Sequence, residues 1–184
     1  MKLSACSLVW LAGTGVVQGF SWSVPPGMED GLYTIDFHED DTNKTSPNVQ
    51  RRSDIVSHDD KTLAARDLPL PISRKGCIEG FPPLDADDYW ASKVAMNNWC
   101  SRGGRTRKGH AVLALKGTVL VWLCSYGWFS YESPCSVDEF QEAEAVWNKT
   151  CGHDVGAFIA MGKWAKTYGR SHKDLNKIDC GKYE

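Results

Sequence analysis

The chain predicts an α+β fold: a small disulfide-stapled antiparallel sheet covered by two helices, a split βαβ-like α/β sandwich. Three observations predict it. Six cysteines, Cys77, Cys100, Cys124, Cys135, Cys151 and Cys180, crowd into the C-terminal part, and that even count in a short exported chain reads as three disulfides. Two segments there carry apolar stripes of helical period behind N-capping residues. Short β-prone runs bounded by glycine lie around them.

Export is read from residues 1–19. Lys2 opens this segment, Leu8, Val9, Trp10, Leu11 and Ala12 form its apolar stretch, and Val17 and Gly19 are small residues at cleavage spacing. Gly19 is therefore the expected last residue of a signal peptide, which takes the seventh cysteine, Cys6, away with it. About 165 residues remain. No later run reaches the roughly 20 apolar residues that a membrane span needs, so the expected product is soluble and extracellular.

Residues 20–75 have no cysteine, few large apolar side chains and acidic runs at 38–41 and 59–60. Such a segment cannot bury enough surface of its own to offset the entropy of ordering, so it is expected to be a largely disordered, pro-like segment. Residues 31–37, Gly-Leu-Tyr-Thr-Ile-Asp-Phe, are the exception, alternating in the manner of a strand. Arg51-Arg52 and Arg74-Lys75 are dibasic pairs. Cleavage after Arg52 or Lys75 would release the cysteine domain, 76–184, in the manner of a propeptide. Asn43 and Asn148 each open a glycosylation sequon.

Within 76–184, Asp85 is placed to cap a helix over 86–100, with Asp87 and Asp88 in the first turn where the helix dipole favours negative charge. Trp90, Ala91, Val94, Ala95 and Trp99 share one face of it. Gly103-Gly104 ends the helix and opens a basic loop, Arg102, Arg105, Arg107 and Lys108. Residues 110–116 and 118–126 then read as a hairpin turning at Lys116-Gly117. Ser136 and Glu139 form a capping box for a second helix, whose stripe is Val137, Phe140, Ala143 and Trp147 and whose stop is Gly152. Residues 157–161 read as a last strand, and 164–184 as a basic, mostly irregular tail pinned by Cys180. With 68–78 as a weak first strand the order is β, α, β, β, α, β. Alternating chain direction then puts Cys77 and Cys151 at one end of the sheet, which pairs them. Cys100, Cys124, Cys135 and Cys180 gather at the other end, with their pairing left open.

No motif names a reaction. The chain has no Gly-x-Ser-x-Gly, His-Glu-x-x-His or Walker loop, and its cysteines are too widely spaced for zinc pairs. No catalytic residue, metal or cofactor is expected. His110, His153 and His172 lie in or beside polar or basic segments, and Glu139, Glu142 and Glu144 read as the solvated face of one helix. Trp128, Phe129 and Tyr131, in a Gly, Ser and Pro setting after the hairpin, suit an exposed aromatic loop that could stack on sugar rings, enter a membrane interface or anchor a protein. From residue 76 onward thirteen Lys and Arg balance thirteen Asp and Glu, so no net charge favours nucleic acid. The basic loop and the tail (Lys163, Lys166, Arg170, Lys173, Lys177, Lys182) nonetheless form a positive region able to steer the protein to an acidic surface.

The leader, the acidic segment with dibasic sites, and the runs Cys124-Ser-Tyr, Pro134-Cys135-Ser-Val-Asp-Glu, Cys151-Gly and Lys163-Trp164-Ala-Lys-Thr-Tyr168-Gly169-Arg170 resemble small cysteine-rich secreted proteins of filamentous fungi. The order of cysteine-bearing strand, cysteine opening a helix, Cys-Gly closing it, then a strand is similar to killer-toxin-like effectors. The resemblance covers about 70 residues. It implies fungal origin and a non-enzymatic role in antagonism or host interaction, and transfers no functional residue. The expected function is thus a secreted effector or killer-like toxin, monomeric, that binds a surface component of another cell through Trp128, Phe129, Tyr131, Arg105, Arg107 and Lys108. The alternatives are a module binding chitin or glucan, and a secreted hydrolase with an unfamiliar site.

Overall fold

The computed structural model describes residues 20–37, 47–53, 69–126, 132–175 and 178–180. Among these described residues eleven strands and two α-helices follow in chain order. β1 (Phe20–Trp22), β2 (Gly31–Asp36) and β3 (Asn48–Ser53) precede β4 (Arg74–Ile78), α1 (Ala86–Ser101), β5 (Arg105–Thr106) and the hairpin β6 (His110–Lys116) and β7 (Val119–Ser125). After β8 (Ser133–Pro134) come α2 (Val137–Cys151), β9 (Gly156–Met161), β10 (Lys166–His172) and β11 (Ile178–Cys180). Seven strands form one antiparallel sheet in the order β3-β2-β6-β7-β10-β9-β4.

Both helices pack on one face of this sheet, where Met96 of α1 and Phe140, Ala143 and Trp147 of α2 meet Val112, Ala114, Val121, Leu123, Ile159 and Tyr168. The opposite face is covered too. There Trp22 and Ile178, from the β1-β11 ribbon, lie with half-buried Val24, Met28 and Leu175 over Tyr33, Ile35, Leu113, Leu115, Leu120 and Trp122. This two-sided burial explains why β6 and β7 are almost wholly apolar: alternate side chains of a strand enter opposite layers, and both layers are dry.

The helix starts follow from capping. Asp85 accepts from the amides of Asp87 (3.0 Å) and Asp88 (2.9 Å), and Ser136 accepts from that of Glu139 at 3.4 Å. Gly152 ends α2 at φ 95°, a left-handed value that costs glycine little. The hairpin turns at Gly117, φ 52°, where a Cβ would meet the Asp88 carboxylate. Asp88 accepts there from the Thr118 amide (2.8 Å), and Asp30 from the Gly117 amide (2.8 Å). The three disulfides are Cys77–Cys151, which is the expected pair, Cys100–Cys135 and Cys124–Cys180. They tie β4 to the end of α2, the end of α1 to the start of α2, and the β1-β11 ribbon to β7.

Four expectations are corrected. Residues 20–37 and 47–53 are not disordered: β2 lies inside the sheet between β3 and β6, and Trp22, Leu32, Tyr33, Ile35 and, further on, Leu70 are buried. Too poor for a core of its own, the segment lends a few side chains to cores built mainly by the rest of the chain. The basic tail contains β10, an interior strand buried along its whole length, in which Lys166 and Arg170 are 4% and 0% exposed. The first strand is shorter than 68–78, because 69–72 run beside α2, with the Leu70 amide donating to Glu142. Trp90 is 55% exposed, since α1 buries Ser92, Ala95, Met96 and Cys100 and turns Trp90 outward beside Lys93.

Candidate functional site

The three expected binding residues that the structure describes, Arg105, Arg107 and Lys108, lie at the end of the sheet where β7 stops. Its frame is built by glycine-dependent turns. Gly103 and Gly109 hold φ values of 78° and 73°, so the basic loop folds back instead of extending α1. The Gly104 amide donates to the Trp99 carbonyl and its own carbonyl accepts from Cys135, while the Gly109 amide donates to Ser125. A Cβ on Gly104 would meet the Trp99 ring at 2.4 Å, so the loop depends on glycine to lie flat on that indole.

β5 pairs with β8, Arg105 opposite Pro134 and Thr106 opposite Ser133. Thr106 points inward and is 2% exposed, which leaves Arg105 and Arg107 outward on either side of it. Arg107 Nε donates to Glu132 Oε1 at 2.9 Å. The Cys100–Cys135 disulfide lies alongside this ribbon. Ser125 and Tyr126 on one side, and Glu132 and Ser133 on the other, are therefore held at the basic loop. Trp128, Phe129 and Tyr131 belong to 127–131, outside the described residues, and both chain ends of that segment leave from this place.

The short 3₁₀ turn Gly162–Trp164 completes the surface. Ala165 follows it at φ 51°, and its carbonyl accepts from the Tyr126 amide at 2.9 Å. Trp164 is 36% exposed, its ring 5.8 Å from the Lys166 ammonium. Beneath it Lys166 donates to the Pro134 carbonyl (2.6 Å) and to Glu139 (2.9 Å), and Tyr168 donates to the same Glu139 oxygen at 3.0 Å. Burial, reinforced by the neighbouring Glu139 carboxylate, pushes the Tyr168 hydroxyl well above its ordinary pKa. Glu139, placed by its capping position at the start of α2, thus braces the floor of the surface. Residues 102–109, 132–134 and 162–164 carry five cationic side chains, Arg102, Arg105, Arg107, Lys108 and Lys163, all exposed, against the single carboxylate of Glu132.

The structure thins the positive tail. Lys166 and Arg170 are buried, Lys163 and Lys173 are exposed, and Lys177 and Lys182 lie outside the described residues. Arg170 donates to the Val155 carbonyl (3.0 Å), to Asn148 Oδ1 (2.8 Å) and to the Gly152 carbonyl. Asn148, the second sequon, is thereby half-buried in the last turn of α2. Gly19 and Asn43 lie outside the described residues. Arg52 sits in β3 with Nε donating to Thr34, and Lys75 in β4 with Nζ 3.4 Å from Thr150 Oγ1.

Of the histidines, His110 faces Asp36 at 3.3 Å, His172 stacks on Phe81 and meets Asp174 at 3.3 Å, and His153 is exposed. Glu144 accepts from Tyr89 and pairs with Lys93 at 2.6 Å, and Glu142 holds the Leu70 amide, so these carboxylates serve packing contacts. Burial first, and the Glu144 charge second, raise the Tyr89 hydroxyl. Among the described residues no group of three or more His, Cys, Asp and Glu side chains is placed to hold a metal. Sequence reasoning missed Trp164 as a surface residue. Its signal was Gly-Lys-Trp-Ala-Lys, a break between two strands that only the recognition of β10 exposes.

Among the described residues no helix is long and apolar enough to cross a membrane, and the three disulfides mark an oxidising compartment. No protein-family model matches the chain, and neither the curated proteins nor the solved structures contain a significant match to it.

Proposed function

We propose that this is a secreted, non-enzymatic effector or killer-like toxin that binds an anionic surface component of another cell through the end of the sheet carrying the basic loop. The observation that carries the reading is the β5-β8 pairing, which sets Arg105 and Arg107 against the base of the segment bearing Trp128, Phe129 and Tyr131. A cationic loop joined in sequence to Trp128, Phe129 and Tyr131 favours a ligand with both charge and an apolar or ring face, such as a lipid headgroup region or an acidic glycan. Held by Cys100–Cys135 and by buried Lys166 paired with half-buried Glu139, the described part of this surface is built in advance of binding, which lowers the ordering cost of association.

A neutral-glycan reading has one observation in its favour, the exposed Trp164 ring beside the basic loop. Co-sedimentation of the full chain with insoluble chitin, with β-glucan and with anionic vesicles separates the two. Binding to the vesicles that weakens as salt rises, and is lost in Arg105→Gln/Arg107→Gln, supports the anionic reading. Salt-independent binding to chitin or glucan that is lost in Trp164→Ala but kept in the double arginine variant replaces it with the carbohydrate module.

A further inference from the structure

The two dibasic pairs occupy the two outermost strands of the seven-stranded sheet, Arg51-Arg52 in β3 and Arg74-Lys75 in β4. We infer that the Arg52–Ser53 bond is the one a paired-basic endoprotease cuts, and that the cut releases nothing: the product is a two-chain protein whose N-terminal chain stays bound without a covalent link. The inference rests on the fold alone and is independent of the binding reading above.

The choice between the pairs follows from their surroundings. Proteases of this class take substrate in extended form, adding a strand to an open backbone edge. Among the described residues β3 has a sheet neighbour on one side only, and Arg51, Arg52 and Ser53 are all exposed. The register shifts there, Arg51 lying opposite Tyr33 and Ser53 opposite Leu32, so the scissile bond sits at an irregularity of the ladder. The Lys75–Gly76 bond lies inside β4 instead. Gly76 packs against the Phe158 ring so closely that a Cβ would stand 2.7 Å from it, and the next residue is Cys77, bonded to Cys151. Hydrolysis adds one water across the Arg52–Ser53 amide, leaving a carboxylate on Arg52 and an amine on Ser53.

Retention follows from what lies N-terminal to the cut. β2 is an interior strand, paired along Gly31–Asp36 with β6, and it buries Leu32, Tyr33 and Ile35. Trp22 is buried with Tyr33 and Ile35 in the layer away from the helices, and β1 pairs with β11. Asp30 binds Lys116 Nζ at 2.7 Å and the Gly117 amide at 2.8 Å. Four buried side chains, a full strand ladder and a buttressed turn thus hold residues 20–52, which contain no cysteine.

The test treats the purified full chain, secreted from a host lacking such proteases, with a paired-basic endoprotease under native, non-reducing conditions. Denaturing mass spectrometry is expected to show two chains, one ending at Arg52 and one beginning at Ser53. Size exclusion with light scattering at micromolar concentration is expected to show one peak with the mass of the uncut chain. Arg51→Gln/Arg52→Gln, at exposed positions, is expected to fold and to resist cutting. Separation of the chains on the native column overturns the inference, as does cutting at Lys75, or resistance of the folded protein when the unfolded chain is cut.

Discussion

Arg170 gives the sharpest test of how the core is held. Its guanidinium is fully buried in β10, donates to three acceptors at the C-terminal end of α2, Asn148 Oδ1 and the carbonyls of Gly152 and Val155, and lies 4.9 Å from the Tyr89 ring centroid and 5.4 Å from that of Trp147. Arg170→Ala strands all three acceptors, each costing about 1 kcal/mol or more when left without a partner. It also removes the cation from two ring faces, about 1 kcal/mol together after the desolvation already paid by the buried charge is discounted. The expected loss is about 4 kcal/mol, a large share of the 5–15 kcal/mol typical of a domain. Arg170→Lys keeps the charge but not the planar fork, and should recover less than half of the loss. Asn148→Ala should cost about 1–2 kcal/mol, and the double variant less than the sum, since the two residues share one hydrogen bond. Urea unfolding of the oxidised protein, followed by tryptophan fluorescence and linear extrapolation, measures each value. A cost below about 1 kcal/mol for Arg170→Ala would refute the claim that this guanidinium joins β10 to α2.

Three further outcomes are expected. Cys77→Ser/Cys151→Ser opens a crosslink of sequence separation 74, and the chain-entropy relation puts the loss near 4 kcal/mol; a change in urea midpoint worth less than about 1 kcal/mol would contradict it. Gly169→Ala places a Cβ 2.2 Å from the Trp122 ring, its cross-strand neighbour, and should cost about 1–3 kcal/mol in the same assay, whereas an unchanged midpoint would mean that the ring moves freely. Lys116, by its hydrogen bond, holds the Asp30 carboxyl below its ordinary pKa against the opposing effect of burial, with a lesser contribution from the Gly117 amide. A depressed folded-state pKa contributes stability that is full above the unfolded value, near 4, and is lost as pH falls through the folded one. With its side chain 42% exposed, the contribution is about 0.5 kcal/mol. Asp30→Asn should therefore lower stability at pH 7 and show a smaller further fall at pH 3 than the parent; parallel falls would reject the assignment.

What the sequence showed and what it hid divide along a physical line. Asp85, Ser136 and Gly152 act locally, through hydrogen bonds and φ values within a turn, so both helices were legible to within a residue or two. The hairpin and the Cys77–Cys151 pair were legible because alternating chain direction alone places them. β10 was not, because Lys166-Thr-Tyr-Gly-Arg-Ser-His reads as solvated until Glu139, Asn148 and three carbonyls, up to 32 residues away, are known to satisfy its cations. β1 and β3 were hidden for a related reason, since their place depends on β11 and β2 and not on their own apolar content. At the candidate site the basic loop was visible as composition, and its pairing with β8 was not. Trp90 misled because its helical stripe looked apolar, while the buried face is set by Ser92, Met96 and Cys100.

The proposed binding of another cell's surface by the disulfide-tied end of the sheet is tested most directly by saturation binding of the labelled full chain to intact cells, wild type against Trp128→Ala/Phe129→Ala and Arg105→Gln/Arg107→Gln. Saturable binding is expected that falls at least about tenfold in affinity in each double variant and weakens with salt for the parent. Equal binding by all three proteins, with their folds intact by circular dichroism, would contradict it and move the working surface elsewhere on the molecule.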